Sequence, residues 1–262
     1  MKANADETPW AAWGEALRSS LSGAWPTELH ATADSTQRLA RDWVSATPEA
    51  AARRLFVADH QTAGRGQRGR SWYSPAGASL ALTAALPHGD RPAETLSVAA
   101  SVAVAEAVDR WLAPAGHAAA VKWPNDIYAG GRKLAGLLIE RVGRHALIGV
   151  GVNVGQTAAD FPPELRETAT STAMLGVAVE RVSLLVEIVR RLDRVMQASP
   201  DAACARWNTR VARLDVEQTL EHRGQTFTGR VLRLDGDRRL VLRDRVGVEY
   251  TLPAAAVSVV RA

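Results

Sequence analysis

Hydrophobic and polar positions along the chain follow two patterns. From about residue 28 to residue 211, short apolar runs alternate with longer amphipathic stretches. Runs of four to eight apolar residues bounded by turn residues read as buried strands, and spacings of three and four read as helices. The strands expected on this basis are Glu28–Ala33, Arg54–His60, Ala78–Leu86, Ala119–Trp123, Asn125–Ala129, Arg132–Val142 and Leu147–Val154. The expected helices are Pro9–Leu21, with Trp10, Trp13 and Leu17 on one side, Asp34 to about Ala46, Pro92–Leu112, Arg181–Ala198 and Asp201–Val211. In the fourth of these, Leu184, Leu185, Ile188, Leu192 and Val195 should face inward. Gly130-Gly131 marks a tight hairpin. Gly149 and Gly151, inside a strand, indicate close approach by a ligand or another backbone. The segment Gln156–Gly176, with Pro162-Pro163, reads as loop. After Ala212 the period becomes two: Thr219–His222, Thr226–Leu234, Arg239–Asp244 and Glu249–Leu252 alternate between turn residues, the mark of a small barrel. The expectation is an α+β chain with a mixed sheet flanked by helices over residues 1–212 and a small β domain over 213–262.

Bulk properties narrow the function classes. A chain of 262 residues with 47% apolar and 23% charged residues is ordinary globular material. The net charge of +4 does not by itself call for nucleic acid. Cys204 is the single cysteine, which excludes an intrachain disulfide and a multi-cysteine zinc site. It reads as a small core residue. The histidines show no metal-ligand spacing. The most apolar stretch, within Ala93–Leu112, carries Glu94, Glu106, Asp109 and Arg110 and is a core helix rather than a membrane span. Residues Met1–Glu7 are polar and acidic, without an apolar signal region. The expected location is the cytoplasm.

The chemistry centres on the stretch from Gln61 to Pro75. Glycines at 64, 66 and 69 let the backbone bend, and arginines at 65, 68 and 70 alternate with them. Guanidinium forks suit carboxylate and phosphate oxygens. Trp72 adds a flat apolar wall. Such a loop suits closure over a small anion; a solvated basic turn is the plainer alternative. It is not a P-loop, because Arg70 stands where lysine belongs and a strand follows instead of a helix. The Gly149-Val150-Gly151 pair lacks the third glycine and following helix of a dinucleotide site.

Further motifs accompany the loop: Asp34-Ser35-Thr36-Gln37 upstream, then Lys122-Trp123-Pro124-Asn125-Asp126, Arg132-Lys133-Leu134-Ala135-Gly136 through Glu140, and Ile148 through Val154. In this order the set resembles biotin protein ligases, closely over Leu29–Val154 and loosely elsewhere. The resemblance implies a class II synthetase-like catalytic fold, shared with lipoate ligases, and an SH3-like C-terminal domain. It suggests the catalytic-only type, since Pro9–Leu21 is too short for the winged-helix DNA-binding domain that some members carry. It also implies ATP, Mg2+ and biotin, a biotin carboxyl carrier domain as protein partner, no DNA and no membrane. Members occur as sheet-edge homodimers and as monomers.

The implied reaction has two steps. A biotin carboxylate attacks the α-phosphorus of ATP, giving biotinyl-5′-AMP and pyrophosphate, and a carrier lysine amine then attacks the mixed anhydride. Bringing two anions together requires positive charge and alignment. By resemblance, Ser35, Thr36, Gln37 and Gln61 hold the biotin ring, with Arg65, Gly66, Gln67 and Trp72 around it. Lys133 holds the carboxylate and then the adenylate. Arg70, Lys122, Asn125 and Asn153 serve the nucleotide. Asp126 is the candidate to accept the amine proton or to meet Mg2+; a turn-forming Asn-Asp pair is the structural alternative. The hydroxyls at 35 and 36 also read as ordinary helix caps. Gln67 departs from the arginine common in the family at that position, which implies weaker retention of the reactive adenylate. In the loop segment, Phe161 is the one aromatic residue available to stack on adenine. Competing readings are a lipoate–protein ligase or related acyl transferase of the same fold, and a non-enzymatic RNA-binding module using the basic loop and the C-terminal barrel.

Overall fold

The computed structural model of the protein describes residues 9–21, 23–47, 52–211 and 213–260. The N-terminal polar stretch and the side chain of Trp10 lie outside the described residues. The chain runs α1 (Pro9–Ser20), β1 (Thr27–Ala33), α2 (Thr36–Ala46), β2 (Arg54–Gln61), β3 (Ser79–Pro87), α3 (Ala93–Leu112), β4 (Ala120–Lys122), β5 (Asp126–Ala129), β6 (Arg132–Val142) and β7 (His145–Asn153). It continues with α4 (Arg181–Gln197), α5 (Pro200–Val211), β8 (Glu217–His222), β9 (Gln225–Leu234), β10 (Arg239–Arg243), β11 (Glu249–Pro253) and β12 (Ser258–Val260). The fold is α+β, with a mixed sheet and a second, antiparallel one.

Seven strands form the first sheet in the order β1-β2-β3-β7-β6-β5-β4. β1 and β2 are parallel, and every other neighbour is antiparallel. The alternation of side chains across a strand gives the sheet two unlike faces. On one face Leu80, Leu82, Ala84 and Leu86 of β3 and Ile148, Val150 and Val152 of β7 join the large core with Val102, Leu184 and Ile188 of the helices. On the other face α2 covers one end, where Ala40 and Val44 pack on Phe56, Ala85 and Leu147. Beyond α2 that second face carries Thr83, Gly136, Leu138, Gly149 and Gly151, which line a cavity. The three glycines on this face let other side chains lie close to the sheet: Gln37 over Gly149, and Trp72 over Gly136 and Gly151.

The second sheet has the order β11-β10-β9-β8-β12, all antiparallel. Its Leu220, Val231, Leu234 and Leu240 belong to the same buried cluster as the first sheet's core, so the two sheets are packed as one body. β12 was not expected from the sequence, being three residues long.

Most of the expected helices, strands and turns are present with small changes of boundary. Gly130 and Gly131 have φ of 57° and 76°, the left-handed pair of a two-residue hairpin. Trp13, Leu17 and the five inward residues of α4 are buried. Cys204 is only half-buried at the core's edge. The side chain of Gln37 and the backbone oxygen of Leu138 come close to Gly149, and the side chain of Trp72 comes close to Gly151. The loop Gln156–Gly176 folds into three short 3-10 turns, anchored to β6 by Lys133 N donating to Thr168 O (2.8 Å) and Thr170 N donating to Lys133 O (2.9 Å).

Candidate functional site

The glycine loop leaves β2 and folds back over the open end of the sheet face. Trp72 N donates to Gly64 O (2.8 Å) and Gly66 N to Arg70 O (2.7 Å), with Arg65 and Ser71 bridged in antiparallel fashion. Gly64 is required there, because a Cβ would fall 2.4 Å from the Trp72 carbonyl oxygen. Gly69 and Arg68 turn the chain at φ of 74° and 57°. A left-handed arginine is uncommon; here its guanidinium donates to the carbonyl of Val259 on β12 (2.6 Å), tying the loop to the C-terminal sheet.

Beneath the loop lies a cavity of about 600 Å³. Ser35, Thr36, Gln37 and Gln61 line one end, with Gly149 and Leu138 below them. Arg65, Gly66, Gln67, Arg70 and Trp72 come from the loop. Lys122, Asn125, Asp126, Lys133 and Asn153 come from β4 to β7 and the turns between them. Every residue singled out from the sequence as a candidate is therefore gathered around one space. In particular, Arg65, Arg70 and Lys133 share it. Phe161, marked in the sequence, lines it as well, and so do residues the sequence did not mark: Leu165 from the long loop, and Glu217, Gln218, Thr219 and Val259 from the second sheet. Apart from the flagged aromatic Phe161, no local motif distinguishes these residues; only the packing of the two sheets brings them here.

The polar end is a connected set. Gln61 Oε1 accepts from the backbone N–H of Thr36 (2.9 Å) and from its hydroxyl (3.3 Å). Thr83 Oγ1 stands 2.9 Å from Thr36 Oγ1 and 3.2 Å from Gln37 Oε1. Ser35 is the N-cap residue of α2 but makes no side-chain cap bond; its buried hydroxyl has no partner among the described residues. The capping alternative therefore fails for Ser35, and its hydroxyl is free for a ligand. Asp34 instead pairs with Arg38 and accepts from Thr62 (3.1 Å).

The charged end is built by an irregularity. Lys133 opposes Tyr128 while Ala135 opposes Ile127, so one extra residue, Leu134, is accommodated in β6. Such a bulge re-aims side chains. It turns Lys133 to the face of Gly136, whose Cβ would stand 3.2 Å from Lys133 Nζ. Nζ pairs with Asp126 Oδ1 at 2.7 Å and lies 5.6 Å from the centre of the Trp72 ring. The resemblance gives Lys133 a ligand carboxylate to hold; within the protein its half-buried ammonium is paired with Asp126. The Trp72 ring lies against Gly136 and Gly151, and its Nε1 is buried without a partner among the described residues.

Lys122 lies over the Tyr128 ring, 5.2 Å from its centre, with Nζ 3.3 Å from the hydroxyl. Burial lowers the Lys122 pKa below its ordinary 10.5, against the pull of Asp126 and with a further lowering by Lys133. Burial, helped by Asp126, pushes the Tyr128 hydroxyl up to about 12. Folding thus disfavours the Lys122 cation. That penalty is present in full below the folded pKa and fades as pH rises toward 10.5. We expect Lys122→Met to raise stability at neutral pH, with the gap narrowing in alkali. Denaturant melts at two pH values check this.

Asn125 and Asn153 are more engaged than the sequence suggested. Asn125 is hydrogen-bonded through side chain and backbone to Leu137. Asn153 donates to Thr170 O (2.9 Å) and accepts from Gln156 (3.2 Å), which ties β7 to the long loop. Both line the cavity while holding its frame.

The fold is that of a ligase family: the chain belongs to the biotin/lipoate A/B protein ligase family, whose model matches residues 29–155. It is 37% identical over 199 residues to the biotin–[acetyl-CoA-carboxylase] ligase of Mycobacterium tuberculosis, covering 72% of this chain and 72% of that one. It is 33% identical over 210 residues to the bifunctional ligase/repressor BirA of Bacillus spizizenii, covering 74% of this chain but 63% of that longer protein. Among solved structures, the biotin protein ligase of Aquifex aeolicus in complex with biotin and ATP superposes with a TM-score of 0.75 at 23% identity, over 90% of this chain and 99% of that one.

Proposed function

We propose that the protein is an ATP-dependent biotin protein ligase that forms biotinyl-5′-AMP and transfers biotin to a lysine of a biotin carboxyl carrier domain. The observation that carries this reading is a single cavity with two chemically different ends. One end offers uncharged donors and acceptors suited to a cyclic urea: Ser35, Thr36, Gln37 and Gln61. The other offers Lys133, Arg70, Arg65 and Lys122 to anions. The relatives named above favour the same reading. A lipoyl ring carries no hydrogen-bonding group, so it would leave the polar end unpaired. Sites built to hydrogen-bond a substrate reject analogues lacking those groups by about 10⁴–10⁵ in favourable cases.

In the first step, a biotin carboxylate oxygen bonds to the α-phosphorus and the bond to pyrophosphate breaks. Lys133 exchanges part of its contact with Asp126 for the carboxylate and then the adenylate phosphate, while Arg70 and Lys122 meet the phosphates and stabilise the charge that builds up. Trp72 covers the biotin ring, Phe161 stacks on adenine, and Asn125 and Asn153 border the nucleotide. Mg2+ would be held by the triphosphate oxygens with Asp126 as its protein contact, and would supply positive charge against the phosphates. In the second step, a neutral carrier amine attacks the anhydride carbonyl, AMP leaves, and Asp126 takes the amine proton. Gln67, uncharged within the loop, holds the adenylate less firmly than an arginine would.

We assign residues 1–212 to catalysis and 213–262 to a smaller C-terminal domain that walls the cavity. No helix among the described residues is long and apolar enough to cross a membrane, and we assign the reaction to the cytoplasm, with no DNA partner. The sheet edges β1 and β4 leave a homodimer open. The test is incubation of the purified protein with ATP, a carrier domain and either biotin or lipoate. We expect the mass of one biotinyl group on the carrier lysine; lipoylation without biotinylation would overturn the reading.

A further inference from the structure

Gln37 reaches the cavity from the first turn of α2, and its amide has a fixed sense. Nε2 donates to Glu140 Oε2 at 2.8 Å and lies 3.4 Å from the carbonyl of Leu147. A flipped amide would set its oxygen against a carboxylate and a carbonyl, two acceptors, so the assignment follows from the network. Oε1 must then lie on the other side, over Gly149, where a Cβ would come within 2.5 Å of it. Thr83 Oγ1 has one hydrogen to give, and Thr36 Oγ1 is the nearer acceptor, at 2.9 Å against 3.2 Å for Gln37 Oε1. The Thr36 hydroxyl in turn points to Gln61 Oε1. Gln37 Oε1 therefore keeps acceptor capacity at the cavity wall.

Glu140 itself does not line the cavity. It sits on β6, on the same face as Gly136 and Leu138, and its other oxygen accepts from Arg41 Nη2 at 2.7 Å. Arg41 is partly exposed on α2, one turn beyond Gln37. The carboxylate is thus clamped between an arginine toward solvent and the amide of Gln37.

We propose that Glu140, backed by Arg41, is a positioning residue that holds the Gln37 amide with its oxygen toward the ligand. The pocket thereby accepts a hydrogen bond from an N–H of a cyclic urea. The proposal rests on the biotin reading. Without Glu140 the amide can rotate and offer N–H to N–H, which replaces an attraction by a repulsion. The charged end of the cavity is untouched, so the nucleotide and the chemical step are spared.

The test is calorimetric titration of biotin, with steady-state kinetics, on wild type and on Glu140→Leu, Glu140→Gln and Gln37→Leu. Losing one buried, oriented hydrogen bond is expected to raise the biotin Kd of Glu140→Leu about tenfold or more. KM for biotin should rise in step, while KM for ATP and kcat at saturating biotin stay within twofold. Glu140→Gln keeps an acceptor for Nε2 and should remain within threefold of wild type. In the Gln37→Leu background, Glu140→Leu should add nothing, since coupled residues are non-additive. A biotin Kd within twofold of wild type in folded Glu140→Leu overturns the proposal, as does an equal loss in Glu140→Gln or a fully additive double variant. If Glu140→Leu does not fold, Glu140→Ala, which admits water, is judged by the same thresholds. Wild-type protein that binds no biotin would instead overturn the functional reading itself.

Discussion

Lys133→Ala is expected to lower the rate of adenylate formation by about 10²–10³, the usual cost of removing one oriented electrostatic group from a reacting centre. Lys133 is the cation that the β6 bulge aims across Gly136 into the cavity. Arg65 and Arg70 lie on a loop that closes over the site, whereas Lys133 is fixed on a strand, so no neighbour replaces it in place. The fold should survive. The Lys133–Asp126 pair is partly buried, with side-chain exposures of 27% and 22%, so its loss should cost about 1–3 kcal/mol, between exposed and fully buried pairs. Lys122 remains near Asp126 and limits the damage. Biotin-dependent exchange of pyrophosphate into ATP reports the first step, and a denaturant melt reports the fold. Wild-type exchange in the variant would remove Lys133 from the chemistry.

Gly151→Ala is expected to be more damaging than one methyl group suggests. The new Cβ would fall 2.2 Å from Trp72 Cε2 and 2.4 Å from Nε1. The indole cannot yield locally, because it also rests on Gly136 and its chain is held by the bond from Trp72 N to Gly64 O. Over-packing of this kind costs about 1–3 kcal/mol. The ring must move into the cavity or lift with the loop, and either motion removes the wall over the bound ring. We expect biotin affinity to fall roughly ten- to hundredfold for the same energy. Adding Trp72→Leu should restore stability but not affinity. Unchanged biotin binding in Gly151→Ala would mean that Trp72 does not bound the ligand.

How far these features were visible in the sequence differs from residue to residue. The turn chemistry of Gly130-Gly131, the inward stripe of α4 and the strands around the glycine loop depend on short-range spacing. They were legible because a helix or strand repeats over a few residues and its core face must be apolar. The gathering of Lys133, Arg70 and Gln61 was legible only through resemblance, since no local pattern states that positions 61 and 133 meet.

Other features belong to the tertiary structure alone. The sense of the Lys133 side chain depends on a bulge, which one extra residue in β6 creates only against its partner β5. The meaning of Gly149 and Gly151 depends on what sits over them, and this proved to be Gln37 and Trp72. Glu140 reads in the sequence as the polar end of a strand; its contact with Gln37 spans 103 positions. The share of the cavity wall supplied by Gln218 and Val259 follows from packing a second sheet against the first. The sequence by itself determined the elements, their order and the chemical groups available, because these follow from local sterics and from burial of apolar faces. Which groups face each other, and which charges and amides are held by a partner, was decided by long-range packing, because such contacts exist only once distant strands and helices share one surface.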